Sequence, residues 1–281
     1  MSRMTPKPML VSFAEAGMPL AAFLARRLET SGKQAKRLLD ERVVFVNRRR
    51  VWMARHRLQA GDEVEIPATS DLSAPGKSGL PILYRDAEYV IVNKPPGLSS
   101  DGAGSAEARM KQMLGPTLQA VHRLDRDTSG CLWFSTNAKA REAAVALFQS
   151  KEVTKTYHAI VAGRVSAGGT TIDTPLDDQP ATTHVRPLSV RFLASHVKVL
   201  IETGRTHQIR KHLASIGHPV LGDKSYALRA IQDEQLRQAP RQMLHASGLA
   251  FRHPATGQAV RVKAPLPADL KRMLRELKLK E

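Results

Sequence analysis

The chain has 281 residues, 42% of them hydrophobic, and 43 Lys and Arg against 26 Asp and Glu give a formal charge of +17. The length suits two soluble domains, and the single cysteine, Cys131 in an apolar run, excludes a disulfide framework and a cysteine-ligated zinc site. No apolar run reaches transmembrane length, so the charge points to a polyanion, with nucleic acid ahead of an anionic membrane surface. Glu15 interrupts the short apolar patch behind Lys7, which argues against a signal peptide. A cytoplasmic monomer without membrane association is expected.

Leu20, Phe23, Leu24 and Leu28 fall at helical spacing with Arg26 and Arg27 on the other side, which predicts a first helix. Ser31 with Gln34 forms a capping-box pattern for a second, which buries Ala35, Leu38 and Leu39. The β-rich run 43–46, a turn over 47–50 and an alternating strand at 63–66 complete a compact unit. Lys33, Lys36, Arg37, Arg42, Arg48, Arg49 and Arg50 are candidates for one phosphate-binding face, against the plainer reading of a solvated basic surface. Residues 68–79 are poor in apolar side chains and rich in Ser, Pro and Gly, which predicts a linker between a domain at 1–67 and a larger one at 80–281.

In the larger domain, 82–84 and 89–92 read as strands around an Arg85-Asp86 turn, followed by the rigid loop Asn93-Lys94-Pro95-Pro96-Gly97-Leu98. The stretch His122-Arg123-Leu124-Asp125-Arg126-Asp127-Thr128-Ser129-Gly130 is a charged loop between apolar segments, a common way to present a reactive group. With arginines on both sides, Asp125 is expected to be ionised and to serve as a nucleophile or base rather than an acid. A turn residue or a surface ion pair is the bland alternative. Asn137 caps a predicted helix with Ala140, Ala144, Leu147 and Phe148 inward. Residues 155–163 read as a strand carrying Tyr157, then a loose polar stretch at 173–183 precedes strands at 188–193 and 197–201. The loop Thr203-Gly204-Arg205-Thr206-His207-Gln208-Ile209-Arg210 leads into a helix with Ile209, Leu213 and Ile216 inward and Gly217 as its stop. His207, His212 and His218 lack acidic or thiol partners at ligand spacing, so no metal is expected. Leu270, Met273, Leu274 and Leu277 predict a C-terminal helix docked on its apolar side.

Two resemblances follow from these residues. SGKQAKRLLDERVVFVNRRR, closing with GDEVEI, partly resembles the small RNA-binding domain first described in a protein of the small ribosomal subunit, with Arg42 and Arg48 where glycines are usual. NKPPGL, HRLDRDTSG, the strand with Lys155 and Tyr157, TGRTHQIRKHLASIGHPVLGD and LHASGLAFRHPATG together resemble the RluA-type family of RNA pseudouridine synthases, over Leu80 to Pro267. Ser99-Ser100 departs from that family's usual Val-His, and the segment 178–183 is short.

The resemblance implies an α+β fold: a mixed, largely antiparallel sheet flanked by helices, preceded by a small α+β RNA-binding domain. It implies isomerisation of uridine to pseudouridine without a cofactor, on a base extruded from the RNA. It assigns catalytic roles to Asp125, to Arg205 as the cation pairing with that carboxylate, and to Tyr157 stacking on uracil; a plain core residue is the alternative for Tyr157. Arg123 would fill the vacated stack, although without the family it reads as a phosphate contact. Lys94, Arg126, His207, Gln208 and Arg210 are expected to touch RNA, with simple helix-surface polarity open for Gln208 and Arg210. The extra N-terminal module suggests large-subunit ribosomal RNA as substrate. Transfer RNA, or a non-catalytic RNA-binding or ribosome-assembly factor on the same fold, are the alternatives.

Overall fold

A computed structural model describes residues 8–40, 44–47, 49–66, 80–227 and 231–281. The chain divides between Lys77 and Ser78 into two compact units. The expected linker at 68–79 lies outside the described residues, as do Arg42, Arg48 and the side chains of Lys33, Arg37 and Arg50.

The N-terminal unit contains β1 (Met9–Leu10), a 3-10 turn (Phe13–Glu15), α1 (Leu20–Arg27), α2 (Gly32–Asp40), β2 (Phe45–Val46), β3 (Arg49–Arg50) and β4 (Glu63–Glu65). Helix α1 buries Leu20, Phe23 and Leu24, the predicted stripe, and each such side chain contributes roughly 1.5–3 kcal/mol. Helix α2 starts with the predicted capping box: Gln34 N–H donates to Ser31 Oγ at 3.3 Å, and Ser31 N–H donates to Gln34 Oε1 at 3.0 Å. The strands form one antiparallel sheet in the order β1-β4-β2-β3. The expected turn over 47–50 is tighter than its sequence suggests, because Arg49 and Arg50 pair with Val46 and Phe45. Asn47 carries the reversal at φ 51°, a region its short amide tolerates, and Nδ2 donates to Asp62 Oδ1 while Oδ1 accepts from Glu63 N–H.

The C-terminal unit contains β5 (Ile82–Arg85), β6 (Tyr89–Lys94), α3 (Ala106–Leu114), β7 (Gln119–Ala120), β8 (Ser129–Ser135), α4 (Ala138–Gln149), β9 (Thr154–Ala162), β10 (Thr170–Ile172), β11 (Thr183–Val190), β12 (Ala194–Ile201), α5 (Gln208–Ser215), α6 (Glu234–Arg237), β13 (Leu244–Arg252), β14 (Ala259–Lys263) and α7 (Ala268–Glu276). Its sheet runs β10-β11-β12-β9-β13-β8-β6-β5, with β14 on β13 and β7 on β8. Only the β13–β8 pairing is parallel among the described strands, so the sheet is mixed and largely antiparallel, as the resemblance implies. Strand β13 joins the two halves of the sheet, lying between β9 and β8.

Period-two alternation decides which face each side chain enters. Leu132 and Phe134 of β8 and Val90 and Val92 of β6 join the core under α3, α5 and α7. Cys131, Trp133, Tyr89 and Ile91 face the opposite core under α4. The expected strands at 188–193 and 197–201 are displaced: β11 begins at Thr183 and β12 at Ala194. Pro187 masks β11 in the sequence, yet it lies beyond the 183–185 stretch that β10 pairs with, and the β11–β12 register shifts between Pro187 and Ser189, an edge-and-bulge setting that accepts a proline. Helix α5 ends at Ser215, which leaves Ile216 outside the inner stripe, and Gly217 follows at φ 79° as the expected stop. No described helix is long and apolar enough to cross a membrane.

Candidate active site

Asp125 lies on the connection between β7 and β8, and that connection is tied down at both ends. Before it, Trp133 N–H donates to His122 Nε2 at 3.2 Å; burial pushes the His122 pKa down to about 4, which keeps this nitrogen an acceptor. After it, Gly130 adopts φ +113° against β13, where a Cβ would sit 2.1 Å from the Ala246 carbonyl oxygen. The loop following β6 is stitched alongside. Ser100 Oγ donates to the Leu124 carbonyl at 2.8 Å and accepts from Leu124 N–H at 2.9 Å. Lys94 Nζ donates to the carbonyls of Pro95, Leu98 and Arg126 at 3.0, 2.7 and 3.0 Å.

Lys94 therefore does not reach RNA: it is fully buried and braces two loops from within. Burial, aided by the charge of Arg241, pulls its pKa down to about 7 against the opposing pull of Asp127 and Asp125.

The Asp125 carboxylate is 27% exposed, and Oδ2 accepts from Arg210 Nη1 at 2.9 Å. Arg210 Nε and Nη2 grip Asp223 at 2.5 and 2.9 Å, and Nη2 reaches Ser225 Oγ at 3.3 Å. Asp223 is wholly buried and also accepts from the N–H groups of Ser225 and Tyr226. Burial opposes charge on both partners. For Arg210 the hydrogen bonds it donates to Asp223 and Asp125 outweigh it and raise the pKa; for Asp223 the Arg210 bond and the Ser225 N–H outweigh it and lower the pKa. One guanidinium thus spans a buried carboxylate and a half-exposed one, a task that its planar fork performs and an ammonium does not.

The expected pairing of Asp125 with Arg205 is corrected by this geometry. Arg205 precedes α5, and its Nε donates instead to the Pro180 carbonyl at 3.2 Å. Arg210 lies in the first turn of α5, three residues before the buried Leu213, and that spacing turns it inward. Surface polarity is overturned for Arg210 and for Gln208, both buried. Gln208 binds Thr182 O and Thr183 Oγ1 through Nε2 and accepts from Thr203 Oγ1 and Arg205 N–H, which locks the start of α5 to β11 rather than leaving it free for RNA.

His207 caps α5 at φ 56°, with Nε2 3.8 Å from Asp125 Oδ1 and Nδ1 3.1 Å from the Tyr226 hydroxyl. The Arg210 guanidinium lies over the Tyr226 ring at 5.1 Å. Tyr157, in β9 between Val199 of β12 and Ala246 of β13, is buried; burial, then the Asp125 charge, pushes its hydroxyl pKa upward.

The sequence profile of the family described as RNA pseudouridylate synthase matches residues 88–215, a span holding Asp125, Tyr157 and Arg210. Ribosomal large subunit pseudouridine synthase D of Xanthomonas campestris pv. campestris is 35% identical over 80% of this chain and 78% of its own. The protein of the same description from Pasteurella multocida is 31% identical over 95% of this chain and 94% of its own. The chain belongs to the RNA pseudouridylate synthase family. The solved structure of human RNA pseudouridylate synthase domain containing 4 superposes with a TM-score of 0.63 at 25% identity, covering 72% of this chain and 94% of that one.

On this pseudouridine synthase, Arg123 projects from the Asp125 loop with its side chain 76% exposed, 3.2 Å from Asp101. Arg126 is also exposed, and its Nε donates to the Gly97 carbonyl at 3.1 Å. Asp223 and Tyr226 escaped the sequence reading. The Gly222-Asp223 pair was visible only as a turn, and nothing local marks that carboxylate as the buried counter-charge of Arg210. Gly222 sits at φ +73° with space for no Cβ, since one would fall 1.9 Å from the Arg241 carbonyl oxygen.

Proposed function

We propose that this pseudouridine synthase modifies uridines in large-subunit ribosomal RNA and that Asp125 is the carboxylate acting on the extruded nucleotide. The observation that carries this reading is the half-exposed Asp125 carboxylate held at 2.9 Å by Arg210, itself clamped by buried Asp223. An oriented anion in that position is a nucleophile or base without needing to be activated at the moment of reaction. The reaction breaks the bond from the ribose anomeric carbon to N1 of uracil and remakes it to C5; C5 loses a proton and N1 gains one. Asp125 either attacks the anomeric carbon or abstracts a sugar proton to give a glycal, and both routes need its charge.

Arg210 is the positioning residue that keeps the carboxylate aimed. Tyr157 lies against the uracil, and with its pKa raised its hydroxyl stays protonated at neutral pH, a donor rather than a base. Arg123, exposed on the same loop, occupies the space that the base leaves in the RNA stack. The N-terminal unit supplies a second RNA contact through a basic surface that includes the exposed Lys36 and Arg49. A ribosomal RNA substrate supports a cytoplasmic location, and we take the enzyme to be a monomer. The names of its relatives and a charge of +17 support this substrate over a protein or membrane partner.

The test is tritium release from RNA carrying 5-tritiated uridine. Wild-type protein should release tritium from large-subunit ribosomal transcripts and Asp125→Asn protein should release none, with equal thermal midpoints because the side chain is partly exposed. Release by Asp125→Asn at the wild-type rate overturns the role of Asp125, and release from transfer RNA alone overturns the substrate.

A further inference from the structure

A cleft of about 290 Å³ opens on the sheet face opposite the Asp125 side, lined by the Gly168–Thr171 turn and strand start, His184, Arg186, Lys198 and Leu200, with Val185 between them. Strand alternation explains the placement. Val185, Val197, Val199 and Ile201 enter the core under α5, so His184, Arg186, Lys198 and Leu200 point to the other side. Arg186 and Lys198 stand directly opposite each other in the β11–β12 register. Like charges facing across antiparallel strands repel, and neither cation forms an ion pair with a described residue.

The rest of the cleft is committed. His184 is held between Thr171 Oγ1 and Glu202 Oε1 at 3.0 Å each, and Glu202 also pairs with Lys151 at 3.3 Å. The Glu202 carboxylate is thereby occupied by other partners. Gly169, at φ +71°, lets the turn close onto β11, where a Cβ would meet the Val185 carbonyl at 2.5 Å. The outcome is a cleft whose lining includes two unneutralised cations, the charge a small anion requires.

We propose that this cleft seats one backbone phosphate of the RNA between Arg186 and Lys198, a contact on the sheet face away from the isomerising site. A phosphodiester relieves the repulsion between the two cations and accepts from both, whereas an uncharged or cationic ligand does neither. The contact adds affinity without touching the reacting nucleotide, so it acts on KM and not on kcat. The inference rests on the chain's acting on RNA as proposed above.

The experiment compares wild type with Arg186→Gln/Lys198→Gln protein in binding to a large-subunit ribosomal RNA fragment from about 50 to 200 mM salt. For one lost phosphate the slope of log affinity against log salt falls in magnitude by roughly 0.7–0.9, so the wild-type advantage shrinks about threefold over that range. KM should rise while kcat at saturating RNA is unchanged, and the thermal midpoint of the free protein should hold or rise, because a repulsion has been removed. The single variant Lys198→Gln should give the same direction. An unchanged salt slope in either variant overturns the proposal, as does a kcat loss at constant KM. If inorganic phosphate at constant ionic strength raises the wild-type midpoint while the RNA slope is unaltered by the substitutions, the cleft takes free phosphate and not RNA, and the proposal falls. Binding is read without turnover; failure of wild-type protein to release tritium would instead count against the proposed function.

Discussion

Replacing Arg210 separates the part this side chain plays in folding from the part it plays in chemistry. Arg210 makes two bonds to Asp223, one to Ser225 and one to Asp125. In Arg210→Ala protein the wholly buried Asp223 loses its counter-charge, and breaking such a pair costs about 3–5 kcal/mol. For a unit of this size each kcal/mol lowers the midpoint by roughly 2–4 °C, so a fall of about 6–20 °C is expected. The companion variant Arg210→Met/Asp223→Leu removes both charges and should recover most of that loss, since a buried pair exchanged for packed apolar groups is often neutral. Turnover should not recover, because Asp125 still lacks the donor at 2.9 Å. Arg210→Lys should fold, bind RNA with KM near wild type and lose about 10²-fold in kcat, the scale of a misaimed reacting group. Calorimetry with single-turnover tritium release reads both quantities, and Arg205→Ala serves as control, retaining kcat within a few-fold. Wild-type kcat in the Arg210→Met/Asp223→Leu protein, or abolition of turnover by Arg205→Ala alone, would refute the assignment.

Lys94→Met should flatten the pH dependence of stability. With the folded pKa at about 7 against an ordinary 10.5, the unfolded chain holds a proton across that window that the folded chain has released. Wild-type stability therefore gains on Lys94→Met as pH rises from 7 toward 10, and denaturant titrations in which the difference shrinks instead would contradict the burial argument. Gly222→Ala, whose Cβ would collide with the Arg241 carbonyl, should displace Asp223 and reproduce the midpoint loss of Arg210→Ala; a midpoint within 2 °C of wild type, on the order of 1 kcal/mol, would show that the turn adapts. Arg123→Ala should leave the midpoint unchanged and lower kcat/KM by about 10–100-fold with a reduced fluorescence signal from 2-aminopurine beside the target uridine, and an unaltered signal would exclude a role in base extrusion.

Much of this molecule can be read from its chain, and the exceptions share a cause. The apolar stripes of α1, α2 and α7 and the cap of α4 at Asn137 are local patterns, and local patterns survive into the structure. The Asp125 loop announces itself because its charged residues are contiguous. The choice between Arg205 and Arg210 is not local. It depends on α5 starting at Gln208 and on a carboxylate that arrives after an intervening helix stop and turn. Lys94 misleads for a related reason, since a lone cation in a Pro-Gly loop suggests solvent, while the three carbonyls that surround it come from backbone that the sequence leaves unmarked. Strand β11 is hidden by a proline whose tolerance depends on how short its neighbour β10 is.

The position of β13 bears on how the enzyme comes into being. Its nine residues, Leu244–Arg252, lie between the strand that bears Tyr157 and the strand that anchors the Asp125 loop. Until they thread into place, the chain holds two half-sheets with no shared strand, and the carboxylate and the tyrosine belong to separate pieces. The site is therefore complete only once a strand that carries none of its reacting groups has joined the two.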